Sequence, residues 1–118
     1  MKTHKDLDVW NRAIDFSETI YKITKEYPRE EIYGLVSQMR RAVVSISANI
    51  SEGAARNSRK EFMRFLYIAR ASASELDTLL EISSRINIAK HDLTNAKEEN
   101  VILMKMLSAL INSLGANH

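Results

Sequence analysis

Apolar residues recur at three- and four-residue spacing along most of the chain, and no segment alternates with the two-residue period of a strand. Val9, Trp10, Ala13, Phe16, Ile20 and Ile23 predict a first helix over about 8–25, with Trp10 as a core anchor. Asp6 or Asp8 is placed to cap its first N–H groups. Tyr27-Pro28 ends it, because the residue before a proline is pushed out of the α region. Ile32, Leu35, Met39, Val43, Ile46 and Ile50 then form an unbroken stripe that predicts a second helix over about 30–55. Glu30 and Glu31 lie in its first turn, where the dipole favours them. Gly34 reads either as a close approach of another backbone or as a tolerated site, at a cost of about 1 kcal/mol against Ala. Gly53 and Asn57 are its expected terminators.

Ser58-Arg59-Lys60-Glu61 reads as a capping box and opens a third helix over about 59–88. Its apolar arc is Phe62, Phe65, Leu66, Ala69, Ala73, Leu76 and Leu80. The small Ala69, Ser72 and Ala73 invite a close neighbour. Asp92 or Thr94 caps a fourth helix over about 93–114, built on Ala96, Leu103, Met104, Leu107, Leu110, Ile111 and Leu114. It stops at Gly115, and Asn117 and His118 are expected to fray. Four amphipathic helices on short connections pack as an antiparallel up-down bundle, so residues 1–118 are expected to form one all-α domain.

The second helix carries a polar stripe beside its apolar one. Gln38, Arg41, Ser45, Asn49, Glu52 and Arg56 share an arc, with the small or weakly polar Val44, Ala48, Ser51 and Ala55 next to them. A line of short hydrogen-bonding groups between arginines suits a bundle or subunit interface, where polar networks fix register. Just beyond it, Arg56, Arg59, Lys60 and Arg64 form a basic cluster opposed only by Glu61. Tyr67 follows on the same helical face. Phosphate contact with base stacking is the chemistry such a surface offers.

Composition narrows the alternatives. A hydrophobic content of 45%, one Pro and three Gly fit a globular chain with few loops. The absence of Cys removes disulfides and thiolate chemistry and fits a reducing cytoplasm. No run approaches the roughly 18 apolar residues of a membrane span, and the N-terminus lacks the apolar core of a signal peptide. The net charge of +2 permits nucleic-acid binding without demanding it. The three histidines, His4, His91 and His118, have no Glu three residues earlier, which argues against a di-iron bundle site. No phosphate loop is present, and no helical histidine stands ready to activate Ser45, Ser47, Ser51, Ser72 or Ser74. Glu52 and Glu75 are candidates for burial as structural ion pairs. No catalytic residue, cofactor or metal is expected.

At these residues the chain resembles a known family. Val9-Trp10, Ala13, Tyr21, Tyr27-Pro28, Glu31, Gly34-Leu35, Gln38, Arg41-Ala42, Ser45-Ile46, Asn49-Ile50, Glu52-Gly53 and Arg56 stand at its spacings. So do Phe62, Leu66, Ala69-Arg70, Ser72, Glu75-Leu76 and Thr78. The family is that of four-helix bundle proteins encoded within intervening sequences of bacterial 23S rRNA genes. The accessory variability proteins of diversity-generating retroelements form a related branch. One departure is Ala71, where the family often has glycine. The resemblance implies a non-catalytic, cytoplasmic bacterial protein that forms ring-like homopentamers. Its retroelement relatives bind nucleic acid and a reverse transcriptase through a basic barrel surface.

The expectation is therefore a self-associating bundle that binds structured RNA or DNA. Arg56, Arg59, Lys60 and Arg64 would meet phosphates, Tyr67 a base, and Gln38 through Glu52 would hold the assembly. The alternative is a protein-interaction or scaffold module, in which exposed Val44, Tyr67 and Ile82 matter more than the arginines. A weaker third idea is a small-molecule site in the hole of a ring.

Overall fold

The periodic segments become four helices: α1 (Asp8–Lys25), α2 (Ser37–Ala55), α3 (Arg59–Arg85) and α4 (Thr94–Gly115). They belong to a computed structural model that describes residues 3–115, with no strand among them. Each helix packs on the next and α1 closes on α4, giving an up-down bundle of 47 × 19 × 19 Å. The shared core is built from Phe16 and Ile20, Met39, Val43, Ile46 and Ile50, Leu66, Leu76 and Leu80, and Leu103, Leu107 and Ile111. Burying one such side chain is worth about 1.5–3 kcal/mol, which is what holds short helices together.

The second segment departs from expectation. Arg29–Glu31 form a 3-10 turn, Ile32–Val36 a π turn, and the regular α2 begins only at Ser37. Gly34 sits at the kink with φ −113° and ψ −111°. Among the described residues no backbone from another element comes within 4 Å of where its Cβ would stand. A Cβ there would stand 2.9 Å from Oε1 of Glu31, the oxygen that accepts the Leu35 N–H at 3.2 Å. Glycine thus leaves room for Glu31 to cap the restarted helix. The wide turn also shifts the helical phase, so Ile32 leaves the apolar stripe and is 46% exposed.

The glycine that does accept another helix is Gly53. It is buried inside α2 rather than ending it, and a Cβ would meet Phe65 Cβ at 2.8 Å and the Phe62 carbonyl oxygen at 3.2 Å. At the start of α3, the Ser58 hydroxyl accepts the Glu61 N–H at 3.2 Å. Glu61 does not reach back, because its carboxylate accepts two hydrogen bonds from Arg64, each 3.1 Å long. At the other end α3 stops at Arg85, three residues early. Asn87 takes φ 58°, and the Ile88 N–H bonds to the Ser83 carbonyl at 3.3 Å, the wrap-around that ends a helix in a left-handed residue. Asp92 accepts the Thr94 N–H at 2.8 Å as α4 begins; the hydrogen bond from the Thr94 hydroxyl, and then the one from that N–H, hold its carboxyl below the usual carboxylate range.

Polar clasps set the helices against one another. Buried Asn100 donates to the Ala73 carbonyl at 2.8 Å, joining α4 to the small-residue face of α3. Arg40 crosses from α2 to α1, where it donates to Thr24 at 2.9 Å and lies over the Tyr21 ring at 4.5 Å. Arg12 on α1 pairs with Glu99 on α4 at 2.8 and 3.0 Å. Trp10 is only half-buried; it packs against the core and meets His4 edge-on at 4.8 Å. The residue before α1 is Leu7, which supplies no side-chain cap. The Asp6 side chain, Asn117 and His118 lie outside what the structure describes.

Candidate nucleic-acid interface

The turn from α2 into α3 gathers the basic residues. Gly53 lets the end of α2 close on the first turns of α3, bringing Phe65 against α2. Arg56, extended at φ −78° and ψ 146° just past α2, lays its guanidinium over the Phe65 ring at 5.1 Å. The guanidinium of Arg64 lies over that ring at 4.5 Å. Phe65 is therefore not a core residue of α3 but a half-buried plate that orients two cations. No helical spacing links it to Arg56, so the sequence pattern hid this role.

Arg56, Arg59, Lys60, Arg64 and Tyr67 are all exposed, as a binding surface requires. Arg56 pairs with Glu52 at 3.4 Å and Arg64 with Glu61 at 3.1 Å. Hydrogen bonds from Arg64 hold Glu61 below the usual carboxylate range, helped by the charges of Arg64, Arg56 and Lys60 and opposed by burial. Glu61 is thus ionised at neutral pH and cancels part of the local field. Such exposed pairs add little to stability. Lys60 makes no ion pair among the described residues. Met63 and Tyr67, with Arg59, Lys60, Glu61 and Arg64, line a shallow depression. Arg70 stacks on Tyr67 at 4.9 Å and donates to Ser108 on α4 at 3.1 Å; the three-residue spacing of Tyr67 and Arg70 was visible in the chain.

The polar stripe of α2 is connected only in part. Ser45 and Ser72 hydroxyls meet at 2.9 Å across the α2–α3 seam, and Asn49 donates to the Ser45 carbonyl at 2.8 Å. Gln38 and Arg41 line the same groove with Ala42 and Glu75, yet make no hydrogen bond or ion pair among the described residues. Glu52 and Glu75 are exposed, against the expectation of burial. Beside the stripe, Val44, Ala48 and Ala55 face outward and Ser51 is half-buried. Val44, Tyr67 and Ile82, the residues of the protein-interaction alternative, are 42%, 47% and 40% exposed.

Among the described residues no group of three or more His, Asp or Glu is disposed to hold a metal ion. His91 instead meets Glu26 at 3.1 Å, tying the α3–α4 connection to the end of α1. No helix among them is long and apolar enough to cross a membrane.

A family model described as 23S rRNA-intervening sequence protein matches residues 5–109. Among solved structures, a Bacteroides thetaiotaomicron VPI-5482 protein, described as one of unknown function from the S23 ribosomal protein family, is similar at a TM-score of 0.80. The two share 26% identity over 88% of this chain and 95% of that one. Neither description names an enzymatic activity. No curated protein matches the chain.

Proposed function

The chain belongs to the 23S rRNA-intervening sequence protein family, and on that premise we propose that it is a non-enzymatic, self-associating bundle that binds RNA or DNA through the start of α3. The observation that carries this reading is the convergence of Arg56, Arg59, Lys60 and Arg64 on one exposed surface, two of them oriented by Phe65. Guanidinium and ammonium groups bind phosphate regardless of sequence, so the contact would follow charge and shape rather than base identity.

Self-association uses a different face. The small outward residues Val44, Ala48 and Ala55, with the incompletely satisfied Gln38, Arg41 and Glu75 beside them, suit contact with another copy. A ring of five is the assembly the resemblance implies. It also implies residence in the bacterial cytoplasm and, for a gene within a retroelement, a reverse transcriptase as partner.

Charge reversal separates the two faces. Lys60→Glu with Arg64→Glu is expected to weaken binding of labelled nucleic acid at least tenfold while leaving the mass in solution, read by light scattering, unchanged. Loss of assembly in that variant would move Lys60 and Arg64 into the subunit interface and overturn the assignment. The rival protein-interaction reading draws on the exposure of Tyr67 and Ile82. It predicts that Tyr67→Ala with Ile82→Ala abolishes capture of a protein partner with little dependence on salt.

A further inference from the structure

We infer that the surface at the start of α3 takes an unpaired strand in preference to a duplex, with a base seated on Tyr67 and Met63 and the flanking phosphates on the surrounding cations. This inference rests on the nucleic-acid reading above and specifies its ligand.

Phosphate contacts carry no preference for paired over unpaired bases, and each adds to the salt dependence of binding. Here Arg56, Arg59, Lys60 and Arg64 converge on each chain, and Glu52 and Glu61 lie 3.4 Å from Arg56 and 3.1 Å from Arg64. Glu61 stays ionised beside Arg64, so the opposition persists at neutral pH. Charge on this surface is therefore partly cancelled, and charge alone does not distinguish a duplex from an unpaired strand.

The lining of the site is the second observation. Phosphate is best met by donors and water, yet Met63 and Tyr67 line the depression together with Arg59, Lys60 and Arg64, and its lining is mostly apolar. Tyr67 is 47% exposed, and Arg70 lies over its ring at 4.9 Å. Phe65 is engaged by two guanidiniums and is half-buried, so it orients phosphate ligands and does not receive a base. A paired base shows only its edge in a groove, whereas an unpaired base offers its whole face. Only the unpaired form uses an apolar lining set among cations.

The test uses the full chain and fluorescence anisotropy. The probes are a short labelled strand as RNA and as DNA, each paired with its complement, and the same strand with abasic positions. The expected result is binding to the single strand about tenfold or more tighter than to the duplex, with the abasic strand behaving like the duplex. Tyr67→Ala is expected to erase that margin, so that the single strand binds no tighter than the duplex, while Tyr67→Phe keeps the margin. The RNA and DNA arms show which sugar is preferred. Equal or tighter duplex binding, or a margin that survives Tyr67→Ala, overturns this inference and leaves the broader reading standing. Failure of every probe to bind at low salt removes both.

Discussion

The Tyr27 hydroxyl is a polar group in a nearly dry place. The residue is 7% exposed, and its oxygen makes no hydrogen bond of good geometry among the described residues. Burial pushes the phenol above its ordinary value of 10.0, with Ser83 acting in the opposite direction. Ser83 itself donates to the Met39 sulfur at 3.7 Å, which leaves it a weak partner for the phenol. An unmet buried hydroxyl costs about 1–3 kcal/mol, so Tyr27→Phe is expected to match or exceed the parent's melting temperature at pH 7. The pH dependence has a definite sign. Because the folded value is the higher one, the unfolded chain releases its proton first. Stability conferred below pH 10 is then lost as pH rises toward the folded value. The Phe variant is expected to lose less stability than the parent above pH 10. A drop of about 1 kcal/mol or more at pH 7 would show that the hydroxyl is well partnered. Asn100 poses a similar question from α4, since its amide nitrogen is bonded while its oxygen has no partner among the described residues.

At the scale of elements, α2 and α3 pack closely where Gly53 meets Phe62 and Phe65. Gly→Ala inside a helix ordinarily gains about 1 kcal/mol of helix propensity. At Gly53 the new methyl would meet Phe65 Cβ at 2.8 Å and the Phe62 backbone oxygen at 3.2 Å, neither of which is a flexible side-chain tip. Gly53→Ala is therefore expected to lower stability by about 1–2 kcal/mol, overpacking exceeding propensity. Thermal unfolding followed by circular dichroism checks this, and a raised melting temperature would show that the helices have room to part. The four amphipathic segments were legible in the chain because burial imposes a period of about 3.6 residues, and Val43, Ile46, Leu66 and Leu107 lie where that period puts them. The interrupted entry to α2 was not legible, because it depends on one carboxylate meeting the Leu35 N–H beside Gly34. Periodicity likewise assigned Phe65 to the core; its seat between two guanidiniums follows from the α2–α3 turn, which no helical repeat encodes.

On the scale of the whole molecule, the features separate along the bundle's 47 Å length. Cations and an apolar lining occupy the end where α2 turns into α3, and Tyr33, 96% exposed, stands at the opposite end in the π turn. Between them runs the α2 face of small residues and the partly satisfied polar groove. The basic cluster was legible as a run of residue types. Its partial neutralisation by Glu52 and Glu61 and its Met63 lining emerge only once the helices are placed. Nucleic-acid binding through phosphate contact at this end is the function proposed for the cluster. The most direct measurement is the affinity of the full chain for a labelled structured RNA and a duplex DNA across a salt series. Each phosphate contact contributes roughly −0.9 to the log–log slope on duplex and about −0.7 on single strands. Two to four effective contacts therefore predict a slope of about −1.4 to −3.6, steeper on duplex per contact and tighter in affinity on RNA with unpaired loops. Absence of binding at low salt, or binding that ignores salt, would contradict the account.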